Sequence, residues 1–335
     1  MHTSSLSPPT PVPPLEKTVT RPSVPLPKSL IKKNILKERI SFDPAMHLNY
    51  KTAPRVMTMK DIGYEGYGIS PVAVSEPFPL FTEDAINQMR AEAFTPEVLD
   101  NCLVSSSFAK HMIQAYAPKY ATFAWEAWHN EKVQAIVSDI AGVELVPSLP
   151  CDVGHINVSF GLDDTSQPGA DETSAFGWHF DSTPFVCVTM LSDCTQMIGG
   201  ETAIKTASGE IIKVRGPTMG TAVIMQGRYI EHQALRAFNG KERLAMVTAW
   251  RPKSPFIPDH TVLAGVRGIT EQNSLYYWFC DYRFDNMEAR FREERRKILE
   301  RQREGREFDI DATREFLEEQ QRTIRLLLGE VVHTW

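Results

Sequence analysis

The chain has 335 residues, of which 42% are hydrophobic and 23% charged, and its formal net charge is −6 at pH 7. A chain of this length can bury one large core or two ordinary ones. The acidic balance argues against nucleic acid or an anionic membrane as the main partner.

Cysteine usage and hydropathy indicate the compartment. The five cysteines form no Cys-x-x-Cys pair and are odd in number, which is typical of free thiols in a reducing environment. No apolar run is long enough to span a bilayer, and the N-terminus lacks the apolar segment of a secretory signal. We therefore expect a cytoplasmic protein.

The N-terminal 40 residues are rich in proline, with eight of the 23 prolines before Lys28. Such a segment cannot form a helix interior or a central strand. Residues 1–40 are predicted to be a disordered or extended arm, either a plain tail or a docking motif for proline-binding modules. A short basic helix is expected between Ser29 and Arg39.

Residues 41–143 are predicted to contribute a strand and a helical support region. Residues 64–81 favour an edge strand broken by prolines, and Thr82 is expected to cap a helix with Glu83 and Asp84 in its first turn. Apolar residues at helical spacing predict two more helices. The first is marked by Phe108, Met112, Ile113 and Tyr116, and the second by Trp125, Trp128, Val133, Ile136 and Ile140.

Residues 144–258 change to short segments rich in Val, Ile and Thr, separated by Gly, Pro and Asp. Eight such strands without intervening helices indicate a barrel or a two-sheet jelly roll. The acidic stretch 161–175 is expected to be a mobile loop in the place of a lid. The predicted strands are 154–160, 177–185, 186–191, 201–205, 210–214, 221–226, 230–236 and 243–250.

Residues 259–335 are predicted to be helical, with helices at 286–303 and 311–328. Arginine and glutamate alternate along the first helix, which favours a solvated, ion-paired face over a nucleic-acid patch. The aromatic segment 276–283 is either a pocket wall or a hydrophobic plug between the sheet and these helices.

Two histidines and one aspartate form a candidate metal site. Residues 176–185 alternate aromatic and polar side chains, so we predict a strand on which His179 and Asp181 share a face, about 6.5 Å apart. His232 lies on a later predicted strand. Taken singly, each has an ordinary structural explanation. Together they match the facial triad of non-haem Fe(II) oxygenases, which leaves three octahedral positions open.

The order of these residues resembles one enzyme family. A His-x-Asp pair, a His 51 residues after Asp181 and Arg243 11 residues after His232 resemble the Fe(II)/2-oxoglutarate-dependent dioxygenases. The turn Gly199-Gly200-Glu201-Thr202 also looks like that family. The resemblance covers residues 150–252. It implies a mainly β fold with flanking helices (α+β), built on a double-stranded β-helix, the cupin-like jelly roll.

The resemblance implies a role for each matching residue. Fe(II) would bind His179, Asp181 and His232, which are also the catalytic residues, and O2 would be the oxidant. Arg243 would hold the distal carboxylate of 2-oxoglutarate, and Asn157 the proximal one. Many members place Ser or Thr two residues after the Arg, where this chain has Ala245. Substitutes are Thr189, Thr221 and Thr202, of which Thr202 is our candidate.

The expected reaction is oxidation of a small molecule by hydroxylation, desaturation or ring closure, with release of succinate and CO2. The chain looks like fungal-type members that oxidise small metabolites of secondary metabolism or free amino acids such as valine. Arg228 and Arg236 bracket His232 and are candidates for a substrate carboxylate. The candidate substrate contacts are Trp178, Phe185, Arg228 and Phe279.

Two alternatives belong to other functional classes. One is an oxygenase acting on protein side chains, and the other is a catalytically silent jelly-roll binding protein. The intact triad with Arg243 argues against a silent protein, and no peptide groove is evident in the sequence. A homodimer is left open.

Overall fold

The computed structural model describes residues 20–106, 109–160, 177–214 and 218–333. Residues 1–19 of the proline-rich arm, the acidic loop 161–175 and Phe108 lie outside the described residues.

Within the described residues the chain forms nine α-helices. Thr82 caps the third as predicted, because its Oγ1 accepts a hydrogen bond from the Ala85 N–H at 3.4 Å and Glu83 and Asp84 follow in the first turn. No helix of this part of the chain combines the length and the hydrophobicity that a bilayer crossing requires. The helices are α1 (Lys28–Lys33), α2 (Pro44–His47), α3 (Glu83–Ala93), α4 (Pro96–Cys102), α5 (Ala117–Tyr120), α6 (Thr122–His129), α7 (Glu131–Ala141), α8 (Gln272–Arg303) and α9 (Ile310–Glu330).

Fifteen strands and one short 3-10 helix, Pro150–Asp152, complete the described secondary structure. The strands before the 3-10 helix are β1 (Val56–Thr58), β2 (Val72–Ser75), β3 (Phe78–Pro79), β4 (Leu103–Val104), β5 (Met112–Ile113) and β6 (Leu145–Pro147). Those after it are β7 (His155–Phe160), β8 (Phe185–Met190), β9 (Ile198–Gly199), β10 (Thr202–Lys205), β11 (Ile211–Val214), β12 (Thr221–Met225), β13 (His232–Ala234), β14 (Ala237–Phe238) and β15 (Glu242–Pro252).

Ten of the strands form one large antiparallel sheet in the order β1-β2-β12-β8-β15-β7-β5-β4, with β3 beside β12 and β6 beside β15. A smaller sheet has the order β11-β10-β13, and β14 pairs with β9. The isolated bridge between His179 and His232 fastens a non-strand segment to the small sheet. The predicted mixture of sheets and flanking helices is confirmed, and the sheets are antiparallel.

Strand β15 has one face in the hydrophobic core and the other on a cavity. Its residues Leu244, Met246 and Trp250 belong to the main hydrophobic core, which includes Phe123 and Trp128 of α6. Side chains alternate across a strand, so Arg243, Ala245, Val247 and Ala249 face the other way. They line a cavity between the two sheets.

Several predicted elements are wrong in type or extent. Residues 177–184 are not a strand, and β8 begins only at Phe185. Met112 and Ile113, expected in a helix, form β5 and pair with β4 and β7. Short apolar runs fit both periods, and pairing with distant strands decides between them. Strand β2 lies between β1 and β12 and is therefore not an edge strand.

The described parts of the N-terminal arm and of the C-terminal region contain more packing and more helix than predicted. Leu26 and Leu30 are buried in the main core, so the segment from residue 20 packs against the body of the protein. The predicted helix at 286–303 begins much earlier, at Gln272, where the Glu271 carboxylate accepts from the Asn273 and Ser274 N–H groups. The aromatic segment 276–283 lies in the first half of this helix, α8. The five cysteines are free thiols.

Candidate metal centre

The three predicted metal ligands converge. The Nε2 atoms of His179 and His232 lie 3.6 and 3.5 Å from the same Oδ1 of Asp181, and the ligand atoms of all three lie within 4.8 Å of one another. Backbone hydrogen bonds hold the segment: His179 and His232 exchange N–H···O bonds of 2.9 and 3.0 Å, and the Asp181 N–H donates to the Gly227 carbonyl at 3.0 Å. The segment is therefore positioned without being a strand.

Backbone carbonyls orient both imidazole rings. The Nδ1 atom of His179 lies 2.8 Å from the Gly177 oxygen, and that of His232 lies 2.9 Å from the Ile230 oxygen. Because a carbonyl oxygen only accepts, each Nδ1 carries a proton, and in a neutral imidazole Nε2 keeps its lone pair. Such a bond to the remote nitrogen is the usual support of a metal-binding histidine.

The electrostatics also fit a cation. Burial raises the pKa of Asp181, but the charges and hydrogen bonds of His232 and His179 outweigh it and hold the pKa below its usual range. Burial lowers the pKa of His179, while the hydrogen bond and charge of Asp181 raise it above the ordinary value. Asp181 Oδ2 has no hydrogen-bond partner among the described residues. A shared proton or a metal ion satisfies this cluster, and metal binding would release the proton.

Gly227 leaves the room that Asp181 needs. A Cβ added to Gly227 would lie 1.8 Å from Asp181 Oδ2, far inside van der Waals contact. Nothing in the sequence singled out this glycine, because the contact joins segments that are 46 positions apart (227 − 181).

Gly227→Ala is expected to lower the affinity for Mn(II), used as an air-stable probe, by about 10- to 100-fold, because Asp181 has to turn away. Calorimetric titration of the purified variant would measure this. Gly329→Ala is the matched control, since a Cβ there meets nothing within 4 Å. Wild-type affinity in Gly227→Ala would contradict the assigned position of the Asp181 carboxylate.

A cavity of about 600 Å³ opens onto the three ligands. Its volume lies in the range of small-molecule sites. The large sheet supplies one wall, and the small sheet, the residues around the ligands and a loop before α8 supply the other. The lining includes Met112, His155, Asn157, Val186, Val188 and Val247 on the first wall, and Trp178, Phe180, Thr202, Ala234, Gly265 and Ile269 on the second.

Arg243 lines the cavity as a buried cation. Its side chain forms no ion pair among the described residues, its Nε has no hydrogen-bond partner, and the residue is only 8% exposed. Burial lowers the pKa of Arg243. An isolated buried charge is costly, and a guanidinium binds carboxylates in a bidentate manner. This end of the cavity therefore suits an anionic ligand.

Only some of the other residues predicted to bind the co-substrate line the cavity. Asn157 and Thr202 both line the cavity, and the Asn157 Oδ1 has no hydrogen-bond partner within the described ranges. Thr189 and Thr221 do not line it. Ala245 lies on the cavity face of β15, where it supplies no hydroxyl.

Of the predicted substrate residues, only Trp178 lines the cavity. Phe185 is fully buried in the main core, because it begins β8 opposite Trp250. Phe279 packs with Leu149, Leu263 and Leu275 in a separate cluster, so the aromatic segment is a plug and not a cavity wall. Arg228 is buried outside the cavity lining, where its Nε donates to the His260 carbonyl at 2.9 Å. Arg236 lies over the ring of Phe238 at 5.0 Å.

Asp152, Gln114 and His155 also line the cavity and were not predicted from the sequence. Asp152 lies on the 3-10 helix, Gln114 follows β5, and His155 begins β7. Burial and the charge of Asp181 raise the pKa of Asp152 to about 7, and burial lowers that of His155 to about 4. The only signal was the alternation of His155 with Asn157, since β5 itself was expected to be helical.

Comparison with known proteins gives only distant likenesses. No family model matches the chain, and no curated protein matches it. AviO1 from Streptomyces viridochromogenes Tue57 matches with 16% identity and a TM-score of 0.41 over 56% of this chain and 91% of that one.

Two further solved structures have names that describe an activity. A Pseudomonas putida prolyl-4-hydroxylase matches with 17% identity and a TM-score of 0.32, over 51% of this chain and 88% of its own. A 2OG-Fe(II) oxygenase family oxidoreductase from Burkholderia pseudomallei matches with 16% identity and a TM-score of 0.29, over 38% of this chain and only 54% of its own. Similarity at this level carries no argument about activity, so the functional conclusion depends on the geometry of the site.

Proposed function

We propose that this chain is an Fe(II)- and 2-oxoglutarate-dependent dioxygenase that oxidises a small molecule. One observation carries the proposal: a single cavity holds both the convergent His179, Asp181 and His232 and the guanidinium of Arg243, which has no ion-pair partner among the described residues. A metal site alone has many uses, and so has a buried arginine. A dicarboxylate that chelates a metal needs the metal ligands for one of its ends and a cation for the other, and this cavity offers both. The two-sheet arrangement around the cavity supports the jelly roll implied by the sequence resemblance.

Each residue has a stated role in this proposal. His179 and His232 would bind Fe(II) through Nε2 and Asp181 through its carboxylate. Arg243 would hold the distal carboxylate of 2-oxoglutarate, with Asn157 and Thr202 as hydrogen-bond partners in the same cavity. Bound Fe(II) would supply the redox chemistry that couples O2 and 2-oxoglutarate to substrate oxidation, with release of succinate and CO2. The apolar side chains along the cavity would limit the access of water to the reacting groups.

The cavity sets the scale of the substrate. A volume of about 600 Å³, shared with the co-substrate, suits a free amino acid or a secondary metabolite better than a folded protein. Hydroxylation, desaturation and ring closure would all use the same protein residues.

The test is turnover by purified protein supplied with Fe(II), 2-oxoglutarate and O2. We expect succinate to form slowly without substrate, and faster when a pool of amino acids and related metabolites contains the substrate. His232→Ala should form no succinate above background. A wild-type protein that binds Fe(II) but never produces succinate would instead support a silent binding protein.

A further inference from the structure

The end of the cavity away from Arg243 contains a buried carboxylate that has no cationic partner in the part of the chain that the structure describes. Asp152 is 4% exposed and lines the cavity. Its only side-chain hydrogen bond among the described residues comes from Gln114, whose Nε2 lies 3.3 Å from Oδ1. Neither lysine nor arginine forms an ion pair with it in this part of the chain.

Backbone contacts place Asp152 far from Arg243. The Ser148 N–H donates to the Ala249 carbonyl at 2.8 Å, and the Gly154 N–H donates to the Thr248 Oγ1 at 3.0 Å. Asp152 therefore lies beside the second half of β15, whereas Arg243 lies near its start. From residue 243 to residue 249 a strand advances about 20 Å. The cavity is thus cationic at one end and acidic at the other, with the metal ligands opening onto it.

The acidic end is closed by packing. Leu149 and Cys151, which precede Asp152 in the chain, pack with Leu263 and Val266 in one apolar cluster. Val266 and Ile269 also line the cavity. The Asp152 carboxylate has therefore already lost most of its hydrating water in the folded protein. A ligand does not have to displace that water when it binds.

The neighbouring groups favour a hydrogen-bond donor. Burial keeps His155 neutral at physiological pH by lowering its pKa to about 4, so it does not neutralise Asp152. Leaving a carboxylate buried with one neutral partner is costly unless a ligand provides the charge. The apolar side chains of Val186, Val188 and Val247 lie along the same cavity and would contact hydrocarbon.

We propose that Asp152, positioned by Gln114, recognises a protonated amine, so that the oxidised substrate is a small, partly hydrocarbon molecule with a cationic nitrogen. The description of this molecule as a substrate rests on the proposed function. The recognition itself does not, because it requires neither metal nor co-substrate.

The test uses a series of n-alkylammonium ions from propyl to octyl, each compared with the 1-alkanol of the same length. Binding to the metal-free full-length chain would be measured by calorimetry at pH 8, above the pKa of about 7 of Asp152. We expect wild-type protein to bind the best ammonium ion about 10- to 100-fold more tightly than its alkanol, as a charged hydrogen bond provides. Asp152→Asn should remove this preference, and Asp152→Glu should keep part of it.

Controls separate this site from general charge effects. Asp193→Asn changes the net charge equally at an exposed position outside the cavity lining and should keep the wild-type preference. Circular dichroism would verify that each variant is folded. An equal affinity of wild type for ammonium and alkanol, or a preference that survives in Asp152→Asn, would overturn the inference. Titration with Mn(II) tests the metal site separately, so either proposal can fail while the other stands.

Discussion

Alanine at His179, Asp181 or His232 is expected to abolish both tight metal binding and turnover. The ligand atoms of the three side chains lie within 4.8 Å of one another, and the described residues contain no second cluster of this kind that could replace them. Two remaining protein ligands would leave the ion weakly held in an otherwise open coordination sphere. Mn(II) titration and succinate formation would measure the two losses independently.

The conservative variants sharpen this expectation. Asp181→Glu retains a carboxylate and is expected to keep weak binding and residual turnover, whereas Asp193→Asn, at an exposed acid, should behave as wild type. Full activity of Asp181→Ala would refute the metal assignment. Loss of turnover with unchanged Mn(II) affinity would also refute it, because the residue would then act without binding the ion.

Arg243→Leu is expected to weaken 2-oxoglutarate binding by about two to four decades while Mn(II) binding survives. Removing the partner of a buried carboxylate costs roughly 3–5 kcal/mol. Calorimetry of 2-oxoglutarate with the Mn(II)-loaded variant would measure the change. Arg243→Lys should recover part of the affinity, since lysine supplies charge without the bidentate geometry.

The thermal stability of Arg243→Leu provides a second test of the role of Arg243. Because Arg243 is a buried cation without an ion-pair partner within the described ranges, Arg243→Leu should raise the melting temperature of the protein without 2-oxoglutarate, as removal of an unpaired buried charge relieves its desolvation cost. Arg236→Leu is the matched control, because that arginine is exposed and outside the cavity lining. Unchanged 2-oxoglutarate affinity in Arg243→Leu would show that another group binds the co-substrate.

The sequence predicted which polar residues converge at the candidate site better than it predicted the structure around them. His179, Asp181, His232 and Arg243 could be found because the proposed metal and co-substrate sites constrain residue type and order, and this constraint survives an error in local structure. Residues 177–184 are not a strand, yet three backbone hydrogen bonds to residues 227 and 232 still place the ligands. The residues proposed to contact the substrate are not constrained in type or order in this way.

Phe185 and Asp152 show why the substrate side could not be predicted. A shift of one residue reverses the face of every side chain on a strand, and Phe185 lies on the core face of β8. Asp152 and Gln114 come together only because residues 112–113 form a strand beside β7. Pairing between distant segments is not encoded in the periodicity of either one.

The order of strands in the large sheet has a consequence for fragments of this protein. The four central strands β12, β8, β15 and β7 come from residues 155–252, but β2 and β3 cover β12, and β5 covers β7, all from residues 72–113. A fragment restricted to residues 144–258 would expose two rows of unpaired N–H and C=O groups, which recruit further chains into aggregates. The N-terminal region thus protects the central strands of the large sheet from self-association.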